Sequence, residues 1–391
     1  MATIWKIIDA LGNILTKEDE GYEDAFHDGY ARAEAEEGEY NYLSEDNTLL
    51  NSDIYDSVTD FVGGLATAVK DGLTYIINTL GETITTTGFL KVGDFIGDMA
   101  RVQQEDGTFN FVTRDGTLLF ETGFRQLTAF VGGVAKALKD DGLWYAYNED
   151  GTAVSETGHT YIGDFTEDFA VYRDDTETQA EDGTATVTSQ YGYLGKDGTT
   201  LTGDWTDATD ITDGKGIVTT GEGKKRYVRT DGTELGGTDY DQALPFQDGW
   251  GRARRDGLWY LVAEDGGESE TGYKAVGVPC WGMTLVTNAD GTKNFVDGDG
   301  GTLMETPLQD ARPFANGYAA IEEDDLWNFI GTDGGTTSTS WFERLTDYDG
   351  RYAEALLEGA WYRVNIKGEL LKRLRDAETE TEETETQDGN D

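Results

Sequence analysis

One cysteine, two histidines, four prolines and no long apolar run set the first limits on this chain. A lone Cys280 excludes an intramolecular disulfide framework. With only His27 and His159 there is little material for triads, imidazole metal sites or proton shuttles. No stretch approaches the roughly 18 uninterrupted apolar residues of a membrane-spanning helix. At the N-terminus Lys6, Asp9 and Asn13 interrupt the apolar residues, so the segment does not read as a secretory signal. The expected location is the cytoplasm, or a particle assembled in one. Bases are scarce too. Thirty Lys plus Arg stand against 77 Asp plus Glu in 391 residues, a formal net charge of −47. Scattered acidity of this size disfavours nucleic acid and anionic membrane surfaces as partners.

What the chain has in quantity is aromatic residues, 12%, and 52 glycines. The aromatics supply the burial that disordered acidic chains lack. They also recur. A hairpin-like pattern begins at Trp5, Tyr40, Thr74, Phe109, Trp144, Tyr191, Lys225, Trp259, Lys293, Trp327 and Trp361. Successive spacings are 34 or 35 residues, with a single spacing of 47 between Trp144 and Tyr191. Three places on, every repeat is apolar or aromatic, from Ile8 and Leu43 to Ile330 and Val364. A tandem array is the strongest signal in the sequence.

Seven places on stand Gly12, Asn47, Gly81, Gly116, Gly151, Gly198, Gly232, Gly266, Gly300, Gly334 and Gly368. Glycine, or once Asn, is what a backbone site at positive φ demands. Asp precedes most of them, and Asp-Gly between extended apolar runs marks a hairpin. A second element precedes most hairpins by eight to ten residues: Phe26, Gly29, Ala31; Phe61, Gly64, Ala66; Phe130, Gly133, Ala135; Phe246, Gly249, Gly251; Phe314, Gly317, Ala319. Alternating small residues on a strand point to a close neighbour. About three short strands then fill each repeat, and neighbouring repeats must stack to complete a core. The segments after Phe61 and Phe130 also fit amphipathic helices, but their register matches strands elsewhere. These two segments lie 69 residues apart, as do those at Phe26 and Phe95, which gives the first half a two-repeat super-period.

A Phe-x-x-Gly-x-Ala strand, then Trp and Tyr ahead of an Asp-Gly turn, every 34 or so residues, resembles the WG-repeat family. The resemblance covers roughly residues 3–371 and is closest at Phe246–Gly266 and Phe314–Gly334. The name-giving Gly follows the aromatic only at Gly192; elsewhere Tyr145, Tyr260, Asn328 or Tyr362 holds that place, so this is a divergent member. Such a resemblance implies a β-rich repeat protein without a defined common activity, and it carries over no catalytic residue.

The expected architecture is therefore all-β: about ten 34-residue β-hairpin or three-stranded repeats. An open, twisted, solenoid-like stack is favoured, with one or two β-propellers as the alternative. Residues 1–172 hold about five N-terminal repeats and 191–375 about five C-terminal ones. Between them 173–190 reads as an inserted acidic surface loop. Residues 376–391 carry eight acids and no base and read as a disordered tail.

No catalytic, cofactor-binding or metal-ligating residue is expected. Carboxylate pairs such as Asp239 with Asp241 and Asp347 with Asp349 lack any feature that singles them out for acid–base work. Asp297-Gly298-Asp299-Gly300 looks calcium-like, but the rest of the EF-hand pattern is absent. Cys280 reads as a small buried hydrophobe, and both histidines as surface residues near repeat boundaries. Basic clusters at Lys224, Lys225 and Arg226, and at Arg252, Arg254 and Arg255, suit neighbouring carboxylates or a partner. Structural roles fall to the repeat aromatics Trp5, Tyr40, Phe109, Trp144, Tyr191, Trp259, Trp327 and Trp361, and to turn glycines Gly116, Gly151, Gly198, Gly232, Gly266, Gly300 and Gly334.

The functional expectation is a non-enzymatic structural or protein-interaction component of a larger assembly, such as a virion or surface appendage. It needs no cofactor, and it acts through protein partners or self-assembly. A glycan- or small-ligand-binding module is the alternative, because Trp and Tyr beside Asp and Asn suit sugars. An acidic DNA mimic or a salt-adapted scaffold is a third reading.

Overall fold

The computed structural model describes residues 4–36, 38–298 and 300–377, except the side chains of Gly237 and Thr238. It is all-β. Among the described residues it holds ten small antiparallel sheets, none closed into a barrel, and no α-helix; one 3-10 turn spans Glu23–Ala25. Seven sheets have three strands. The second is typical, with Ser57–Val58, Leu65–Lys70 and Leu73–Asn78 in sequential order. The segments after Phe61 and Phe130, which also fit helices, are strands Leu65–Lys70 and Val134–Leu138. Each is long enough to pair along its whole length but too short for a stable helix.

The chain forms two compact units. The first comprises Met1–Phe165, Tyr172–Val187 and Leu194–Thr199, and the second comprises the rest, so the boundary falls within the long strands of the fifth sheet. Those strands correct one expectation. The insertion at 173–190 is not a loop: strands Phe169–Gln179 and Ala185–Gly195 run eleven residues each and turn at 180–184. Thr184, Thr186, Val187 and Thr188 are β-branched, and that propensity continues the hairpin where polarity alone suggested a loop. Of the acidic tail, only Asp376 and Ala377 lie among the described residues, and Asp376 ends the strand Leu370–Asp376.

All eleven turn residues, Gly12 and Asn47 through Gly368, have positive φ. At Asp150-Gly151-Thr152 the Asn148 amide donates to the Thr152 carbonyl and the Gly151 amide to the Asn148 carbonyl. Asp150 Oδ1 accepts both the amide and the hydroxyl of Thr152, at 2.9 and 2.6 Å. The same Asp–Thr pairing recurs at Asp231–Thr233 and Asp290–Thr292, which explains why Thr so often follows the Gly. The end of the Phe-x-x-Gly element is a turn, although Phe95 and Phe246 themselves lie in the edge strands Lys91–Ile96 and Gln242–Gln247. Asp28-Gly29, Gly63-Gly64, Asp213-Gly214 and Asp248-Gly249 each place two consecutive residues at positive φ, a two-residue hairpin turn. The strand begins after it.

After each Asp-Gly turn the chain returns along the sheet as an irregular fourth segment, held at both ends. Tyr147 bridges Ala153, and Trp144 bridges His159; the pairs Leu43–Leu49 with Tyr40–Tyr55 and Ile330–Thr336 with Trp327–Phe342 repeat this. In the fifth, sixth and tenth sheets it becomes a regular strand, Thr200–Thr202, Glu234–Tyr240 and Leu370–Asp376.

Core clusters lie in the seams between consecutive sheets. Tyr42 of the first sheet packs on Phe61 of the second at 4.7 Å, Tyr227 of the sixth on Phe246 of the seventh at 5.0 Å, and Phe295 of the eighth on Phe314 of the ninth at 4.9 Å. Such ring pairs add about 0.5–1.5 kcal/mol beyond the area they bury. Ala66, Ala68 and Gly251 sit where these rings pass; a Cβ on Gly251 would stand 2.6 Å from Phe246 and 2.9 Å from Tyr227.

Candidate functional site

The repeat aromatics do not form the deepest layer. Trp327 is buried, while Trp5, Tyr40, Phe109, Trp144, Tyr191, Trp259 and Trp361 are half-buried. The core falls two and three places further on, where residues such as Tyr42, Leu43, Phe329 and Ile330 are fully enclosed. Some of these rings carry a cation: Arg375 lies over half-buried Trp361 at 5.0 Å, Arg101 over half-buried Phe109 at 5.5 Å, and Arg312 over buried Trp327 at 4.6 Å.

Apart from Lys6, Gly192 and Arg226, the place after the aromatic, where a WG repeat holds Gly, is taken by Asn or Tyr. Asn41, Asn110, Asn294 and Asn328 are buried and clamp the return segment. Asn110 Nδ2 donates to the Phe120 carbonyl at 2.9 Å, and its Oδ1 accepts the amides of Phe111 and Phe120. Asn294 does the same with Met304. These side chains satisfy backbone groups that the irregular segment leaves without ladder partners. Tyr75, Tyr145 and Tyr260 solve the problem differently, each lying on a glycine thirteen or twelve residues ahead. A Cβ on Gly88, Gly158 or Gly272 would meet the ring at 2.9, 2.4 or 2.9 Å. In the second to fifth repeats the order is Asn41, Tyr75, Asn110, Tyr145. The two-repeat super-period thus coincides with alternating clamp and lid.

A further position escaped the sequence reading: the residue that closes each repeat fourteen or fifteen places after the aromatic. Tyr55, Phe89, Phe124, Tyr240, Tyr273, Leu308 and Phe342 hold it, all buried. Thr-Gly ahead of the aromatic, as at Thr87-Gly88-Phe89 and Thr271-Gly272-Tyr273, was the available signal. His159 occupies this place, so it is buried, at 3% exposure, and not on the surface. Its Nδ1 faces Asp174 at 3.0 Å, and its ring stacks on Tyr172 at 3.9 Å. His27 is half-exposed, 4.0 Å from Asp60.

The residues that could carry chemistry are engaged in structure. Asp239 takes Arg226 Nε at 2.5 Å, and Asp241 takes Lys224 at 2.6 Å. Asp347 meets Arg312 at 3.3 Å, while Asp349 accepts the amides of Arg351 and Tyr352. Asp297 accepts the Gly301 amide within its own turn. Among the described residues no group of three or more His, Cys, Asp or Glu gathers to hold a metal ion. The Cys280 thiol lies 3.4 Å from the Phe314 carbonyl, half-buried, and burial pushes it up from its ordinary value. Scarce cations bolt one sheet to the next: Arg101 donates to the Leu127 carbonyl at 2.8 Å, Lys136 to the Gly163 carbonyl at 3.1 Å and Arg252 to the Gly277 carbonyl at 3.3 Å.

One end of the first compact unit differs from the rest. Strand pairing of Leu65 with Asn78, Met99 with Thr113 and Val134 with Asn148 puts the two-residue turns and the Asp-Gly turns at the same end of each sheet. Arg114 links them across a seam, donating to the carbonyls of Gly63 at 3.1 Å and Gly97 at 3.2 Å. On this end Val62, Ile96 and Val131 stand in consecutive repeats at 73%, 78% and 62% exposure, and Leu80, in the turn between Asn78 and Gly81, is 76% exposed. Between the third and fourth sheets it opens into a groove of about 830 Å³. Phe111, stacked on Phe130 at 4.6 Å, and Leu119 line the groove, as do Asp94, Asp98, Glu149 and Asp150.

An all-β repeat protein with one apolar, acid-fringed end is the class these features define. The repeat type is matched at the ninth sheet, where residues 308–327 fit the family model of the WG containing repeat. That segment overlaps Phe314–Gly334, one of the two stretches in which the resemblance is closest. No curated protein matches the chain. Among solved structures, BamB from Moraxella catarrhalis is similar at 12% identity over 88% of this chain and 93% of that one, with a TM-score of 0.22. The extracellular domain of a hybrid two-component system protein from B. thetaiotaomicron is similar at 9% identity over 89% of this chain and 57% of the other, with a TM-score of 0.23. Scores this low carry no argument about function. No helix among the described residues is long and apolar enough to cross a membrane, which leaves strand-built spans untouched.

Proposed function

We propose that the protein is a non-enzymatic interaction component that presents the turn end of its first compact unit to a protein partner or to further copies of itself. The observation that carries this reading is the row Val62, Ile96 and Val131, exposed in consecutive repeats on a chain of net charge −47. Isolated exposed apolar residues need no explanation, but a row of them along one end marks a contact surface. The equivalent places in the second unit hold Thr166, Thr212, Gln247, Cys280, Ala315 and Asp349, none of them a large aliphatic residue, although Trp281 beside Cys280 is 60% exposed. The engagement of Asp239, Asp241 and Asp347 by bases supports a role without catalysis. Cations over Trp327 and Trp361 favour the interaction reading over a glycan-binding one, since a sugar would need those faces.

Size-exclusion chromatography with light scattering, alone and after cross-linking in an extract of the source cells, tests the proposal. Wild type is expected as an oligomer or a discrete complex that Val62→Asp with Val131→Asp disperses. A strict monomer that cross-links to nothing contradicts it.

A further inference from the structure

We propose that the groove between the third and fourth sheets is the docking site for a partner segment that carries bulky apolar side chains flanked by Lys or Arg. The inference rests on the interaction reading and names the chemistry of the partner.

At three seams the ring that follows the edge strand is enclosed, with Phe61 2% exposed, Phe246 3% and Phe314 4%, while Phe95, Phe130, Phe165 and Tyr348 are half-buried. The first residue after the two-residue turn of the preceding sheet provides a cover. Tyr30 lies 5.8 Å from Phe61, Lys215 4.7 Å from Phe246, and Tyr318 5.6 Å from Tyr348 of the tenth sheet. Met283 holds the place before Phe314, where Trp341 and Met304 join the cluster. At the groove the residue is Met99, and Phe130 is left half-buried with its ring in the opening. Half-buried Phe130 floors a groove of about 830 Å³, whereas half-buried Phe165 lines a pocket of only about 110 Å³.

The walls supply the charge. Asp94 and Asp98 come from the third sheet, Glu149 and Asp150 from the turn of the fourth. Arg101 is the one cation lining the groove among the described residues. Its Nη1 is bound to the Leu127 carbonyl, and its guanidinium lies over Phe109 at 5.5 Å. Outside the lining, Arg114 approaches Asp98 at 3.7 Å, and Asp150 Oδ1 caps Thr152. Asp94 and Glu149 complete a rim with more carboxylate than base. A volume of about 830 Å³ lies within the range of sites that enclose a drug-sized body or a few side chains. Apolar floor, negative rim and Ile96 exposed at the lip together fit an apolar side chain entering with bases on either side.

The test uses the full chain and a fluorescein-labelled hexapeptide of sequence Lys-Lys-Leu-Phe-Lys-Lys, followed by anisotropy at about 0.15 M salt. One control replaces Leu and Phe by Ser, and another replaces Lys by Glu. Wild type is expected to bind the Leu-Phe peptide at least about tenfold more tightly than the Ser control, and the Glu control not at all. Met99→Tyr, which installs the cover that Tyr30 provides in the first sheet, should abolish that preference, as should Ala129→Arg in the wall. Equal binding of the Leu-Phe and Ser peptides reduces the effect to bulk charge and overturns the proposal. So does an unchanged preference in both variants, which places the contact elsewhere. If the groove fails while Val62→Asp with Val131→Asp still disperses the complex, the partner chemistry is wrong and the interaction reading stands.

Discussion

Gly116 lies against the carbonyl of Ile84 in the preceding sheet, so close that a Cβ on it would stand 1.9 Å from the Ile84 oxygen. The contact repeats along the array. Gly81 faces the Leu50 carbonyl at 2.8 Å, Gly198 the Val154 carbonyl at 2.6 Å and Gly334 the Leu303 carbonyl at 3.3 Å. Each turn glycine therefore answers two demands, a positive φ and a seat against the repeat before it. Gly12, in the first repeat, has the same φ of +84° but nothing within 4 Å. Gly12→Ala should cost about 1–2 kcal/mol, the left-handed backbone penalty alone. Gly116→Ala should cost more, because the third sheet must also move away from the second. Urea midpoints of the two variants check this; equal shifts would remove the stacking role.

Tyr145 and Gly158 form a lid whose parts can be exchanged. Gly158 has no left-handed backbone, so Gly158→Ala is opposed only by the Tyr145 ring at 2.4 Å. Overpacking of this kind costs about 1–3 kcal/mol. In a Tyr145→Ala background the same substitution should become close to neutral. A double-mutant cycle on thermal midpoints gives the coupling, and additive effects would contradict the lid.

Asn328 provides the matching test of the clamp. Its Nδ2 donates to the Ser338 carbonyl at 2.9 Å, and its Oδ1 accepts the Phe329 amide at 2.8 Å, both out of contact with water. Asn328→Ala leaves these backbone groups without partners, at about 1–3 kcal/mol each. Asn41→Ala should behave similarly, since Asn41 bonds the Asp53 carbonyl at 2.7 Å and the Tyr42 amide at 2.6 Å. Amide exchange read by NMR or mass spectrometry should quicken first at Phe329 or Tyr42 respectively, whose amides lose their acceptor; uniform loss of protection would point to a general packing defect.

Much of this was legible in the sequence, for identifiable reasons. Positive φ at Gly116 or Asn47 shows because few residue types occupy it, and the buried places at Leu43 or Val228 show because they recur every 34 or so residues. What could not be read is contact between repeats. Nothing in the sequence near Gly116 announces Ile84, and nothing near Met99 says that Phe130 lies uncovered. The hairpin Phe169–Gln179 with Ala185–Gly195 was misread because its polar, acidic composition outweighed its β-branched residues. His159 was misplaced because a histidine stood where other repeats hold Tyr or Phe.

Turn carboxylates give a pH dependence with a definite sign. Hydrogen bonds from the Thr side chain, then its amide, hold Asp150, Asp231 and Asp290 below the ordinary carboxylate value; Asp115 is held down by the Thr113 hydroxyl, then the Thr117 amide. A folded value below the unfolded one of about 3.9 adds stability that is present above that pH. It is lost as pH falls through the lower folded values. Replacing these four aspartates by Asn, which can also cap a turn, should flatten the acid limb of the stability curve below about pH 4. Parallel acid limbs would contradict the assignment.

With net charge −47, self-repulsion opposes the compact state, and salt should relieve it. The Debye length shrinks from about 10 Å at 0.1 M to about 3 Å at 1 M. Thermal midpoints should rise over that range at neutral pH. A flat or falling midpoint would mean that the ion pairs, such as Arg226–Asp239, outweigh repulsion among the surface carboxylates.

The central claim is that the turn end of the first compact unit meets a protein, and site-specific photo-cross-linking tests it most directly. A photoreactive phenylalanine analogue at Ile96 samples that end, and one at Asp106 samples the opposite end of the same sheet, where Gln104–Gly107 turns. In the source cells the account predicts a discrete protein adduct from position 96 and none from position 106. Adducts from 106 alone, or none from either position, would contradict it.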